Sequence, residues 1–406
     1  MRMRIKDVVT LRNEKTKLKD NYIGLENIIS WDAKYIPSDI EPEGTNAVFK
    51  SGDILFGKLR PYLAKGFIPN YSGVCSTEFL VMAAKKTCLN KFLLYTFLSP
   101  KYISDIKNKV KGVKMPRTSW YEFSSMEIEI PSIKKQEQIV KYLDSKLSEI
   151  DSQVNLLTSK RNAYLRLKKS IINHAVTKGL NPEVKMKASG VDWIGEIPGH
   201  WERKRLKDIA YLYSGLTGKA GDDFRCDDIS KTKPYIPFTN ILNNLKIDAK
   251  KLPRVVMSAG ENQNKVRQND LLFLMSSEDY ESIAKSAVVM EDMGEVYLNS
   301  FCRGLHFTSN KIYANFINYQ LQAQNYRDAL RFEARGFTRI NIKVDRISSM
   351  YVSLPPLSEQ QAIATYLDEK CSKIDKIVAN LEKQISLYTD MKRSLIDEVI
   401  TGKRAV

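Results

Sequence analysis

The chain has 406 residues, 43% hydrophobic and 27% charged, which suits two or three globular domains and excludes wholesale disorder. Its 64 Lys and Arg outnumber 47 Asp and Glu, a formal net charge of +17, and an excess of that size favours a polyanionic partner, nucleic acid before a membrane surface. Five scattered cysteines without a Cys-x-x-Cys pair and three distant histidines argue against a zinc site or a disulfide framework. The sequence has no apolar run of about 18 residues, and the opening MRMRIKDVVT lacks the apolar core of a signal peptide, so a soluble cytoplasmic protein is expected.

The first element group, residues 1–130, has short β-rich runs such as AVFKSGDILFGKL, punctuated by Gly, Pro and Asn, and then a helical stretch, NKFLLYTFLSPKYISDIKNKV. That mixture predicts a first α/β domain of ordinary size. Residues 131–178 follow as a long helix. A Gly- and Pro-punctuated linker, 179–201, carries Trp193 and Trp201, expected to pack on a domain surface. A second mixed domain is predicted over 202–354 and a second long helix over 355–402.

An internal repeat orders these elements. Shifted by 224 residues, Pro131–Lys178 aligns without a gap on Pro355–Gly402, matching Gln136 with Gln360, Asp144 with Asp368, Asp151 with Asp375 and Lys168 with Lys392. The same shift pairs Gly112 with Gly336 and Tyr95 with Tyr319. Further upstream GDILF (from Gly52) meets NDLLF (from Asn269) at a shift of 217, and RIKDVV (from Arg4) meets RLKDIA (from Arg205) at 201. The chain is a tandem duplication whose domains have diverged more than its helices.

In the first helix Leu143, Leu147, Ile150, Val154, Leu157, Arg161, Tyr164, Lys168, Ile171 and Ala175 recur at steps of four and three. Leu367, Cys371, Ile374, Val378, Leu381, Ile385, Tyr388, Lys392, Leu395 and Val399 repeat the pattern in the second. Such a seam predicts coiled-coil packing, and two matched copies in one chain favour an antiparallel pair. Some 44 helical residues would span about 66 Å. Pro131 and Pro355 stand where proline can begin a helix, and Ser358 with Gln361 resembles a capping box. Arg161, Lys168 and Lys392 interrupt the seam, either setting its register or snorkelling from its edge.

Catalytic signatures fail on inspection. GLTGKA (Gly215–Ala220) lacks the first glycine of a phosphate loop and has Ala220 where a Mg²⁺-ligating hydroxyl should stand. The sequence contains no GxGxxG after a strand, no NPPF or DPPY tetrapeptide and no GxSxG. Triplets such as Asp32-Ala33-Lys34 are expected by chance in so charged a chain. No catalysis by the chain itself is expected, and no metal site.

For binding, KNKVKGVKMPRTSW sets Lys109, Lys111, Lys114 and Arg117 around Gly112, and the second copy sets Arg331, Arg335, Arg339 and Lys343 around Gly336. Basic loops centred on glycine suit phosphate or groove contact, and Arg suits guanine. Lys58, Arg60, Tyr62 and Lys65 form another candidate cluster. The alternative is an ordinary solvated loop for the glycine-centred residues and a solvated strand edge for Lys58, Arg60, Tyr62 and Lys65.

The helices PSIKKQEQIVKYLDSKLSEID and PPLSEQQAIATYLDEKCSKID, the region GDILFGKLRPYL and the lead-in DWIGEIPGHWERKRLKDI together resemble the specificity subunits of type I restriction-modification systems, over nearly the whole chain. The resemblance implies an α+β fold, with two target-recognition domains in tandem, each followed by a long helix, the helices antiparallel and the whole pseudo-two-fold. It implies that each domain reads half of a split, asymmetric double-stranded DNA target. The helices would space the halves and dock two methyltransferase and two ATP-driven restriction subunits. S-adenosylmethionine, ATP and Mg²⁺ would then belong to the partners, with no cofactor in this chain.

The charge distribution agrees: the net is +7 for 1–130, +7 for 131–190, +3 for 191–354 and 0 for 355–406. Phosphate contacts would supply salt-dependent affinity, and half-sites about 10 bp apart would follow. One departure is that the first domain starts without a DWIGEIPGHW lead-in, which leaves its docking on the C-terminal helix open. The alternatives are an enzyme with its own nuclease or methyltransferase site, and a coiled-coil scaffold without a DNA role.

Overall fold

Residues 1–38, 40, 44–109, 115–226, 228–258 and 260–406 are described in a computed structural model. The chain divides into two units, Met1–Lys160 with Asn380–Val406, and Arg161–Ala379. Each unit holds one mixed domain, part of the helix Ile133–Lys178 and part of the helix Leu357–Ile400.

In the first unit an antiparallel sheet runs in the order Val9–Leu11, Phe79–Ala84, Ile54–Gly57, Gly66–Phe67. Ile54, Leu55 and Phe56 are all fully buried, because the strand is covered on both faces, and this explains its continuous apolar run. A left-handed turn at Gly52 (φ +84°) leads into it. Asp53 closes that turn by accepting the Lys50 N–H at 2.7 Å and the Arg12 Nε–H at 2.5 Å. A smaller sheet joins Lys15–Thr16, Asn46–Phe49 and Gly73–Cys75, all antiparallel.

The second unit repeats the main sheet as Ala210–Ser214, Cys302–Phe307, Leu271–Leu274, Ser286–Val288. Asn269 (φ +67°) takes the place of Gly52, a conformation Asn tolerates better than most residues. Asp270 closes this turn on the Arg267 N–H at 2.9 Å. In the smaller sheet Thr232–Ile236 pairs antiparallel with Arg254–Val256 and parallel with Tyr297–Leu298, much as Ile23 bridges parallel to Cys75 in the first unit.

The helices run antiparallel within each unit, along the seam expected from the heptads. In the first unit Leu143, Leu147 and Ile150 share one apolar cluster with Leu395, Ile396 and Val399. Lys392 meets Asp151 at 2.8 Å while Lys135 reaches the main-chain oxygen of Val406. In the second, Ile172, Ala175 and Val176 pack in one cluster with Ile363, Ala364, Leu367 and Cys371, and Lys168 meets Asp375 at 2.6 Å. The seam lysines therefore act as cross-helix ion pairs at equivalent positions. The buried Lys392 also pairs with Asp32, and burial draws its ammonium down to about 8.

Local contacts refine three of the expected features. The second long helix begins at Leu357, with Glu359 and Gln360 donating to the Pro356 carbonyl. This sets Ser358 inside the first turn rather than at its cap. Trp201 packs against the second domain: it is fully buried against Phe316, its Nε1–H donating to Glu359 at 3.2 Å. The first domain docks on the C-terminal helix, where the Lys101 N–H donates to Asp397 at 2.9 Å.

Candidate nucleic-acid interface

Part of what joins each domain to its helix is duplicated atom for atom. Gln136, fully buried, donates to the carbonyls of Thr87 and Pro131 and accepts the Leu89 N–H. Gln360 does the same with Lys311, Pro355 and Tyr313, each 224 residues on. Tyr95 donates its hydroxyl to Asp144 at 2.6 Å, and Tyr319 to Asp368 at 2.7 Å. Burial and the adjacent carboxylate raise both tyrosines, so they remain neutral donors.

The surfaces held by this frame are not alike. In the first unit, main-chain bonds from Lys58 to Glu78, Arg60 to Pro116 and Thr118 to Lys58 bring three segments side by side. Lys58 and Arg117 line a cleft of about 530 Å³ with Arg12, Lys15 and Trp120. Arg117 is paired to Glu78 at 3.0 Å. Burial lowers the Lys58 ammonium; Glu78 opposes this, while Lys15 and Arg117 push it further down. An incoming anion such as a phosphate would relieve that mutual repulsion.

Arg60 sits beside the cleft in a left-handed conformation (φ +48°), and both it and Tyr62 are exposed. Lys65 instead donates to the Leu25 carbonyl at 2.6 Å, as its counterpart Lys285 does to Leu242 at 3.4 Å, which gives both lysines a role within the fold. Lys109 ends the helix Pro100–Lys109 and is exposed. Lys111 and Lys114 lie outside the described residues.

In the second unit a cleft of about 400 Å³ is lined by Arg339 with Phe238, Phe301, Ser276 and Asp279. Arg339 donates to Ser276 Oγ at 2.7 Å and lies over the Phe301 ring at 4.7 Å. Arg335 folds onto the carbonyls of Phe332 and Ala334. Arg331 is held by Glu281 and Asp328, so its charge is balanced inside the domain. Lys343 is exposed just before the helix Val344–Ser348. The loop resembling a phosphate cradle is otherwise engaged, its Lys219 being paired with Glu261 at 2.6 Å.

Arg12, Lys15 and Phe301 escaped the sequence reading. They come from segments remote from the basic loops, and only the sheet pairings bring them there.

Residues 1–162 and 198–387 both match the type I restriction modification DNA specificity domain. The chain belongs to that family. Among relatives of this specificity chain, the type I restriction enzyme MjaVIII specificity subunit of Methanocaldococcus jannaschii is 23% identical over 366 residues, 89% of this chain and 77% of that protein. The EcoKI specificity subunit of Escherichia coli K12 is 24% identical over 213 residues, 52% of this chain and 44% of that one.

Two solved structures share the fold at 16% identity. One, reported for complex assembly and conformational transition of the type I R-M system, gives a TM-score of 0.70 over 98% of this chain and 97% of its own. The HsdS subunit from Thermoanaerobacter tengcongensis gives 0.50 over 100% and 97%. The α+β architecture of tandem domains, each followed by a long helix, is thus the family's fold. DNA sequence recognition within a restriction-modification complex is the role of such a chain, and a scaffold without DNA recognition is not favoured.

Proposed function

We propose that this chain reads a bipartite, asymmetric target in double-stranded DNA, one half per repeat, and contributes no catalytic group of its own. The observation that carries this reading is the contrast above: a duplicated frame supports two surfaces of different chemistry. Equal frames offer two equivalent placements on DNA, and unequal surfaces read unequal half-sites. Two methyltransferase subunits would dock on the chain, joined by two ATP-dependent restriction subunits. The partners would supply S-adenosylmethionine, ATP and Mg²⁺, and the complex would work in the cytoplasm. Lys58, Arg60, Tyr62, Lys109, Arg117, Arg335, Arg339 and Lys343 remain the proposed contacts, with Lys15 added, while Arg12 is held by the buried Asp53. Lys65 and Arg331 serve their own domains first.

The test is co-expression with the cognate methyltransferase subunit, followed by methylome sequencing of the host DNA. A split, asymmetric methylated motif that disappears on deletion of this chain supports the reading. Exchange of residues 1–130 should then alter one half of the motif alone. If no methylated motif depends on this chain, the proposal fails.

A further inference from the structure

The turn around Gly336 is clamped from three sides. Arg335 and Asn341 exchange main-chain hydrogen bonds at 2.9 and 2.8 Å. Asn341 and Ile340 pair with Ser276 and Ser277, and the Tyr280 hydroxyl donates to the Gly336 carbonyl at 3.2 Å. Gly336 has φ +143°, and a Cβ there would lie 2.1 Å from the Arg339 carbonyl oxygen, so the turn requires glycine. On this clamped support Phe337 stands fully exposed. Arg335 and Arg339 flank it in the chain, and the Arg339 guanidinium is already oriented by Ser276 and Phe301.

A large apolar ring fixed in water gains nothing for the isolated chain, and its free energy is recovered only on binding. The flanking guanidiniums select a polyanion as the partner. In DNA, aromatic or aliphatic side chains act as wedges between base steps while nearby cations hold the phosphates. Val113 occupies the equivalent sequence position in the first repeat, 224 residues earlier, so this position is aromatic in the second repeat and aliphatic in the first.

We propose that Phe337 inserts between two adjacent base pairs of the second half-site and unstacks that step, with Arg335 on a neighbouring phosphate and Arg339 at a base edge beside the step. The inference rests on the DNA-recognition reading above and assigns one residue a mechanical part in it. Unstacking is easiest at pyrimidine–purine steps, so the wedge favours such a step in the second half-site.

The experiment uses the full chain assembled with its methyltransferase subunits, on a duplex carrying the methylome-defined target. 2-Aminopurine is placed in turn at each position of the second half-site. The wild-type complex should raise the fluorescence at a single step. F337A should abolish the rise and weaken binding roughly ten- to a hundred-fold, while F337W restores affinity. Phe337 touches no core, so both variants should unfold at the wild-type temperature. A rise that persists unchanged in F337A overturns the wedge, as does F337A binding at wild-type affinity. Loss of methyltransferase co-purification in F337A also overturns it, by making Phe337 a protein contact. A wild-type complex with no preference for the target would bring down the recognition reading itself, a result independent of the variant.

Discussion

Gln136 and Gln360 make the same three hydrogen bonds to equivalent main-chain groups. Lys58, by contrast, meets Met275 at the shift of 217, and Arg117 meets Asn341 at 224. Even so, Leu59 bridges to Arg117 and Ser276 pairs with Asn341, at equivalent backbone positions. The two domains thus keep one backbone scaffold and replace the side chains displayed on it. Groups facing inward toward the helix are constrained by the cost of burying an unpaired polar atom. Groups facing solvent carry no such penalty and can change with the half-site. The smaller sheet differs in extent rather than in this pairing: both domains keep a parallel contact, Ile23 with Cys75 and Ile236 with Leu298, and the first adds the antiparallel pairing of Asn46–Phe49 with Gly73–Cys75.

The largest effect should come from breaking the frame. Gln136→Ala or Gln360→Ala removes the partner of three main-chain groups beside a fully buried site, at an expected cost of about 3 kcal/mol for either variant. Denaturant unfolding followed by hydrogen exchange in each repeat would measure it. If one variant costs about 3 kcal/mol and its counterpart nothing, the frames are equivalent in geometry but not in energy. Asp144→Asn and Asp368→Asn should follow at about 1.5 kcal/mol each, because a charge-assisted bond from a tyrosine is weakened and a solvent-screened ion pair, to Lys91 or Lys246, is lost.

A difference between the reading surfaces should appear in DNA binding rather than in stability. Arg339→Ala should cost about 2 kcal/mol in affinity and relax selectivity within the second half-site alone. Lys58→Ala should weaken binding to all sequences and reduce the dependence of log K on log salt by about 1. Titrations at several salt concentrations, on duplexes altered in one half-site at a time, separate the two patterns. Relaxed selectivity in the first half-site for Arg339→Ala would contradict the assignment of surfaces to halves.

The frame was largely legible in the sequence because repetition exposes it. The identical pairs Gln136/Gln360 and Asp144/Asp368 stood out at one constant shift, and the seam from Leu143 to Ala175 showed its period directly. What those polar residues hold was not legible, since Thr87, Leu89 and Tyr95 reach them only through the fold. The Ser358–Gln361 pattern misled because Pro356 already accepts the first helical bonds, starting the helix at Leu357. The reading surface was half visible. Arg117 and Arg339 lie on glycine-centred basic loops, whereas Arg12 and Lys15 join Lys58 only through sheet pairing. Lys65 and Arg331 looked like free cations because their partners, a carbonyl and two carboxylates, are distant or unremarkable in sequence.

The smallest expected effect also separates the repeats. Among the described residues, two carboxyls are held down to about 2, and both lie in the second repeat. Glu261 accepts from Lys219, the Ser258 N–H and Gln263, while Glu295 is bonded by Lys233, Lys265 and the Tyr297 hydroxyl. Their folded values lie below the ordinary glutamate value, so the folded state binds fewer protons than the unfolded chain as the pH falls. The stabilisation is present in full above about pH 4.5 and is lost progressively toward pH 2. Both groups are near solvent, which screens these pairs and keeps the effect modest. Hydrogen exchange at pH 7 and pH 3.5 should show the segments around Tyr213–Gln263 and Tyr235–Tyr297 loosening on acidification, and E261Q/E295Q should show less acid dependence than wild type. Equal acid dependence in the variant and the wild type would mean that these pairs decorate the second domain without holding it, and that its distinct small sheet is stabilised by its apolar contacts alone.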